Sequence, residues 1–400
     1  MGIGSFISGS FENSPHDRAS CARFTLDNAP YWRKLLLPQR RDASLARARR
    51  IYDNRLAMVE DLPTNEQWRR LYEAAVGVKE LAPWEWMTET DVFGVRDPET
   101  GEIGFVSVMG MLGEHYAVSL YPNPEALYAF WALEERGPEI NPDALLEIPQ
   151  LQVSFEDREE LENRDRKVIK DLGFTFRGRK EWPMFRSYRP GFFPWFLEAE
   201  EARSLAEALD QLLEVAPRFR EVRSLLTPDD ESYLVRVPHQ KSGTRVWEDT
   251  MMEVPPPEPV SIQIGMDPEA LEDLQNLPQS GHEFEIDLFM FPTPIQGEKG
   301  SRPVFPYLLL TVDAGSGMVL GTEVLEADPS LEAMWGSVPL AVARQLAGLG
   351  LRPEQITVGS ELLFGLLQPL AESSRIELKR SPFLPALYEA REALFEAFDR

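Results

Sequence analysis

The chain has 400 residues, of which 43% are hydrophobic and 27% charged, and its net charge is −25. Its length allows two or three domains with cores of their own. The acidity disfavours nucleic acid and anionic membrane surfaces as partners, because both require clustered Lys and Arg. The apolar runs are too short to span a bilayer. A single cysteine, Cys21, excludes an intrachain disulfide and any multi-cysteine metal site within one chain, and agrees with a cytoplasmic location.

Residues 1–57 differ from the rest of the chain in charge. They hold ten Lys or Arg residues against five acids, with few periodic apolar residues. This composition predicts a mobile, disordered extension with a short helix near residues 44–52. Two interpretations are open. The extension is either a basic arm for nucleic acid or an acidic surface, or a leader upstream of a true start at Met58.

Residues 62–252 are predicted to form an α+β domain. Thr64 and Gln67 have the spacing of a capping box, which indicates a helix over residues 66–80. A turn at residues 97–101 joins two apolar runs into a hairpin, and a further strand is expected over residues 115–121. Gly110 and Gly113 are explained by a hairpin turn.

The second half of this domain is predicted from its apolar periodicity and its turn residues. Further helices are expected from residue 124, over 156–171 and over 198–225, and strands over 151–155, 174–177, 233–238 and 245–253.

The densest aromatic cluster of the chain lies between Trp182 and Phe196. One interpretation is a ligand or partner surface in which aromatic faces are flanked by guanidinium groups. The other is a core-facing loop that plugs a domain junction. The candidate surface residues are Trp182, Phe185, Arg186, Tyr188, Arg189 and Trp195.

The proline-rich stretch 253–260 is predicted to be a linker, and residues 261–400 a second domain of α/β class. The expected elements are strands at 284–291, 307–312, 318–326, 355–358 and 375–378 and helices at 330–349, 361–371 and 383–398. Their order is β-β-β-α-β-α-β-α, which resembles the ribonuclease-H/integrase fold.

This resemblance implies a two-metal site for phosphodiester cleavage, with acids from the first strand, the fourth strand and the last helix. The matching positions are Asp287, Glu361 and Glu392, with Mg²⁺ or Mn²⁺ as the implied metal, held by Asp287 and Glu361. Glu389 and Glu396 share a helix face with Glu392. The pattern departs from the family, since Glu361 replaces the expected Asp and Leu362 follows it.

Over most of its length from residue 62, the chain is similar to uncharacterised bacterial proteins that pair two domains of unknown function. The stretches that carry this resemblance are LAPWEWMTETDVFGV, GEIGFVSVMG, EWPMFRSY and PYLLLTVDAGSGMVLG. It brings no cofactor and no activity.

Two functions therefore compete. The first is a non-catalytic interaction or regulatory protein with an unknown protein partner, since nucleic acid fits only the basic extension. The alternative is a divalent-metal-dependent phosphodiesterase or nuclease of ribonuclease-H type.

Overall fold

A computed structural model describes residues 62–134, 142–226, 232–254, 262–265, 267–291, 293–297, 300–327 and 330–398. These residues form two β-sheets and eight α-helices, so the predicted mixture of helices and strands in both halves is confirmed. The basic extension 1–57 and most of the linker 253–260 lie outside the described residues. Across the described ranges, no helix has both the length and the apolar character needed to cross a membrane.

The first unit contains a seven-stranded sheet and four α-helices within its described residues. The helices are α1 (Asn65–Leu81), α2 (Pro124–Glu134), α3 (Asn163–Leu172) and α4 (Ala199–Glu221). The strands are β1 (Phe93–Arg96), β2 (Ile103–Met109), β3 (Ala117–Tyr121), β4 (Gln150–Glu156), β5 (Trp182–Tyr188), β6 (Ser232–Lys241) and β7 (Thr244–Glu253). Their order in the sheet is β5-β4-β3-β2-β1-β6-β7, and the β1–β6 pair is parallel while the other pairs are antiparallel.

Local sequence rules place α1 and α4 correctly. Thr64 and Gln67 form the expected capping box at the start of α1. Apolar residues of α1 and α4, such as Leu71 and Leu209, are buried in one core cluster with strand residues such as Val153. A second cluster, which includes Leu127 of α2 and Phe105 of β2, forms separately. The main core therefore lies between the sheet and the α1–α4 pair.

The second unit has a five-stranded sheet, also with four α-helices in its described residues. The helices are α5 (Pro268–Asn276), α6 (Leu331–Leu349), α7 (Glu361–Ser374) and α8 (Pro385–Phe398). The strands are β8 (Glu283–Met290), β9 (Tyr307–Asp313), β10 (Val319–Leu325), β11 (Gln355–Val358) and β12 (Glu377–Arg380). The order in the sheet is β10-β9-β8-β11-β12; β8, β9 and β10 are antiparallel neighbours, while β11 is parallel to β8 and β12 to β11.

The two faces of this second sheet are covered by different helices. Residues of α5, α6 and α7 pack with Phe284 and Ile286 of β8 in one core cluster. Leu384 and Leu387, at the start of α8, pack with Leu310 and Val312 of β9 in another. Side chains alternate between the faces of a strand, so consecutive residues of β8 contact different helix layers.

Three sequence predictions fail locally. Residues 174–177 were expected to be a strand, but they have no regular secondary structure. Phe174 and Phe176 stack on Tyr72 of α1, so their alternation reflects contact with a helix and not a strand ladder. Residues 182–188 form strand β5, whereas the sequence predicts a core-facing loop or a binding surface there. Helix α5, which Asp267 caps and Pro268 begins, was missed because it is short and mostly polar.

Candidate functional site

The carboxylates predicted for a metal site begin on β8. Glu285, Asp287 and Phe289 alternate with the core residues of this strand, and we call the sheet surface that they occupy the carboxylate face. Helix α8 lies over this face: the backbone N–H of Leu387 donates to Glu285 Oε2 at 2.8 Å, and Phe289 packs against the α8 cluster. The carboxylate face is therefore covered by a helix where the resemblance requires access to a substrate.

Glu285 acts as an anchor for α8. Its side chain is buried, and desolvation raises the pKa of Glu285 against the opposing effect of hydrogen bonds from the N–H groups of Leu387 and Ala386. A carboxylate at a helix N-terminus satisfies amide donors that lack partners inside the helix and interacts favourably with the helix dipole. This geometry assigns Glu285 a structural role.

Asp287 is half-buried next to the same helix. Its Oδ1 accepts a hydrogen bond from the N–H of Leu288 at 2.9 Å. Burial raises the pKa of Asp287 to about 6, against the opposing effects of this hydrogen bond and of Arg391 on α8. The Arg391 guanidinium also lies over the Phe289 ring, 5.4 Å from its centroid. The charge of Asp287 is thus only partly compensated.

Glu361 and Glu392 are placed differently from Asp287. Glu361 is the first residue of α7, its side chain is 80% exposed, and it forms an ion pair with Arg380 at the end of β12. Glu392 is exposed on α8, as are Glu389 and Glu396. In the parts of the chain that the structure describes, no group of three or more His, Cys, Asp or Glu side chains could hold a metal ion. The donor set does not fit the two-metal centre that the resemblance implies.

Asp313, the last residue of β9, forms hydrogen bonds within the turn that follows and with His282. Its Oδ1 accepts from the backbone N–H of Ser316 at 2.8 Å and from the Ser316 hydroxyl at 2.7 Å. Its Oδ2 lies 2.8 Å from Nδ1 of His282. The Ser316 hydrogen bonds, together with His282, lower the pKa of Asp313. One carboxylate oxygen of Asp313 therefore closes the β9–β10 turn, and the other contacts His282, which directly precedes β8.

The aromatic segment (residues 182–196) forms edge strand β5 and the loop that follows it. Within the loop, Phe193 donates its N–H to the carbonyl of Pro303 at 2.9 Å, and Phe305 donates to that of Gly191 at 2.9 Å. The Phe193 and Phe305 rings also contact each other, with centroids 5.8 Å apart. The loop thus contacts the second unit, as the junction interpretation expects.

The candidate arginines of this segment are engaged in ion pairs. Arg186 is buried, with its Nη1 2.9 Å and its Nη2 2.8 Å from the two carboxylate oxygens of Asp165. Arg189 pairs with Glu198 at 2.9 Å and Glu201 at 2.8 Å. Both guanidinium groups therefore stabilise the fold around β5.

The aromatic candidates are largely covered as well. Phe185 is buried in the main core, in edge-to-face contact with Tyr72. Trp182, Tyr188 and Trp195 are half-buried. These three rings are the aromatic part of the candidate surface that remains partly accessible, and the Arg189 side chain is 42% exposed.

A cavity of about 450 Å³ lies elsewhere in the first unit, and sequence reasoning missed it. Its lining includes Lys79 in the last turn of α1 and Trp84 just after that helix. Tyr116, which precedes β3, and the turn that carries Lys180 complete it. Gly110 shapes the β2–β3 loop beside it, since its φ is +133° and a Cβ there would lie 2.7 Å from the Tyr116 ring. The expected turn at these glycines is present, since the N–H of Gly113 donates to the carbonyl of Gly110 at 2.9 Å, and Gly113 also lines the cavity.

Comparison with known families covers both units. Residues 68–236 match the model of a domain of unknown function (DUF7309), and residues 270–395 match that of another (DUF6930). The predicted pairing of two domains of unknown function is confirmed. No curated protein matches the chain.

Proposed function

We propose that the protein is a non-catalytic interaction protein whose second unit is a ribonuclease-H-like scaffold without a metal centre. The observation that carries this proposal is the use of the carboxylate face. Glu285 binds the N-terminus of α8, and Asp287 lies beside that helix. A nuclease of this type needs an open cleft in which acids converge on a metal, because the cation must contact both them and the phosphodiester.

The element order supports the fold part of the proposal. Three antiparallel strands are followed by two parallel strands, and a helix precedes each of these two and follows the last. The boundaries 62–252 and 261–400 remain proposals, and both family matches fall within them. Fold alone does not define activity, so the function rests on the site.

The partner is proposed to be a protein. A net charge of −25 favours basic surfaces and disfavours nucleic acid by simple repulsion. The half-buried Trp182, Tyr188 and Trp195 are the candidate contact residues of the aromatic segment. Aromatic side chains are enriched at protein interfaces, since they combine a large apolar area with a polar edge.

One observation favours the alternative, a divalent-metal-dependent phosphodiesterase. The raised pKa of Asp287 means that its negative charge is unfavourable in the folded protein, and a bound cation would relieve that cost. The alternative requires Glu361 and Glu392 to join Asp287, whereas Glu361 pairs with Arg380 and Glu392 is exposed.

Thermal melts of an Asp287→Asn variant at several pH values test whether the charge of Asp287 destabilises the fold. The folded pKa of about 6 exceeds the ordinary 3.8, so ionised Asp287 destabilises the fold increasingly as the pH rises from 3.8 to about 6 and fully above that. The free energy of unfolding of Asp287→Asn is therefore expected to exceed that of the wild type by about 1–3 kcal/mol at about pH 8, and to differ little from it at about pH 4.

The same melts in excess Mn²⁺ provide the functional test. Under the proposal, Mn²⁺ leaves the melting temperatures of wild type and Asp287→Asn unchanged, because neither holds the metal. A rise in the wild type that Asp287→Asn abolishes would contradict the proposal, since bound metal stabilises the state that binds it. Glu272→Gln is the matched control, as it removes an exposed carboxylate from α5, which packs on the other face of the sheet.

A further inference from the structure

Positive charge is concentrated at the cavity of the first unit. Lys79, Arg179 and Lys180 line it, against one carboxylate, Glu181. This excess of cations stands out on a chain with a net charge of −25. A concave site lined by one sign of charge raises the local concentration of oppositely charged ligands.

Lys180 provides the available charge. An ammonium group has three N–H donors, and that of Lys180 bonds to the carbonyls of Gly113, at 2.9 Å, and Glu114. Carbonyls are neutral acceptors. Lys79 has Glu181 at 3.5 Å and Arg179 has Asp157 at 3.6 Å, whereas among the described residues no carboxylate pairs with Lys180. Its charge and one donor are left for a ligand.

Aromatic rings form the apolar part of the cavity. The Tyr116 ring centroid lies 4.9 Å from Nζ of Lys79 and 5.3 Å from that of Lys180, and Trp84 contacts Tyr116 with centroids 4.9 Å apart. Next to Gly113, the side chains of Met111 and Leu112 are 49% and 75% exposed. An apolar ligand body in the cavity would contact the Tyr116 ring, and a body that extended past Gly113 would meet the exposed residues of the β2–β3 loop.

The backbone holds Lys180 in an uncommon conformation. Its φ is +54°, and Asp157 Oδ1 accepts its N–H at 2.8 Å, which fixes the turn. Ala82, with φ of +52°, also lines the cavity. Ala82 adopts this conformation as the C-cap of α1, whereas Lys180 lies in a turn outside any helix, and positive φ at such a non-glycine residue is enriched at functional sites.

We propose that this cavity binds a small organic anion, in which one phosphate or carboxylate group is carried on an apolar or aromatic body. The anionic group contacts Lys180 and Arg179, and the body lies against Tyr116 and the β2–β3 loop. This inference goes beyond the proposed function, since it concerns the other unit and stands whatever the carboxylate face does.

Calorimetric titration of the full chain tests the proposal with three probes that share one ring. Phenyl phosphate and phenylacetate carry the two candidate anionic groups, and benzyl alcohol is the neutral control. We expect at least one anion to bind and benzyl alcohol to bind more weakly. Whichever anion binds more tightly identifies the preferred group, and added salt should weaken its binding.

Variants with opposite charge effects sharpen the test. Lys180→Gln keeps a donor for the two carbonyls and is expected to weaken anion binding about tenfold. Glu181→Gln removes the competing carboxylate and is expected to strengthen binding about two- to fivefold. Lys167→Gln, which removes an exposed ammonium on α3 outside the cavity, should bind like the wild type.

The proposal is overturned if neither anion binds the wild type, or if Lys180→Gln binds as tightly as Lys167→Gln. It is also overturned if benzyl alcohol binds as well as the anions do. Arg179→Gln guards against misfolding of Lys180→Gln, because the Arg179 side chain is 89% exposed and its loss leaves the turn intact. A weaker affinity in this variant, with an unchanged melting temperature, supports the proposal. An unchanged affinity overturns the stated contact between the anionic group and Arg179.

Discussion

Gly336→Ala is expected to lower the free energy of unfolding by about 3 kcal/mol, because overpacking against backbone leaves little room to relax. Gly336 lies on α6 where residues 262–265 cross the helix, and its carbonyl accepts the N–H of Gly265 at 2.8 Å. A Cβ at Gly336 would lie 2.2 Å from the carbonyl oxygen of Gln263. The crossing segment must move or detach. Urea denaturation of the purified protein measures the loss.

Gly348→Ala is the matched control in the same helix. A Cβ at Gly348 meets nothing within 4 Å, so only helix propensity changes. The free energy of unfolding of this variant is expected to rise by about 0.5–1 kcal/mol. If both variants shifted stability equally, the close crossing of residues 262–265 over α6 would be wrong.

Asp165→Asn is expected to lower the free energy of unfolding by about 3–5 kcal/mol, because it leaves the buried Arg186 guanidinium without its main counter-charge. Both side chains of this bidentate pair are less than 10% exposed. Glu162, at 3.5 Å from Arg186, gives only partial compensation. Chemical denaturation at neutral pH measures the effect.

A double variant shows whether the loss comes from an uncompensated charge. Asp165→Leu with Arg186→Met removes both charges and is expected to recover most of the stability, because an apolar pair of similar volume avoids desolvation. Asp171→Asn on the same helix is the matched control. It removes an exposed pair with Lys167 and should change stability by about 0.5 kcal/mol or less. A loss in Asp165→Asn no larger than this control would contradict the buried pair.

The sequence predicted most elements because local signals and tertiary packing agree. The Thr64 capping box starts α1, and Ser330 and Ser360 cap α6 and α7 where the apolar periodicity begins. Prediction from apolar periodicity failed where alternating side chains pack against a helix and the backbone pairs with no neighbouring strand. The alternation over residues 174–177 arises from contacts of Phe174 and Phe176 with Tyr72.

The site was harder to predict, because spacing along the chain does not report what covers a residue. Strand alternation predicts that Asp287 lies on the carboxylate face of β8. It does not predict that α8 covers this face. Similarly, the aromatic residues around Arg186 in the sequence favour a binding surface. The fold instead pairs Arg186 with Asp165 of α3, which lies 21 residues earlier in the chain. Long-range contacts decide both roles.

Calorimetric titration of Mn²⁺ and Mg²⁺ tests the central claim most directly, that the second unit holds no metal centre. The proteins compared are the wild type and the Asp287→Ala/Glu361→Ala double variant. We predict no metal binding in either protein, because Asp287 lies beside α8 and Glu361 pairs with Arg380. Binding in the wild type that is lost in the double variant would contradict the claim and make a metal-dependent phosphodiesterase the leading function.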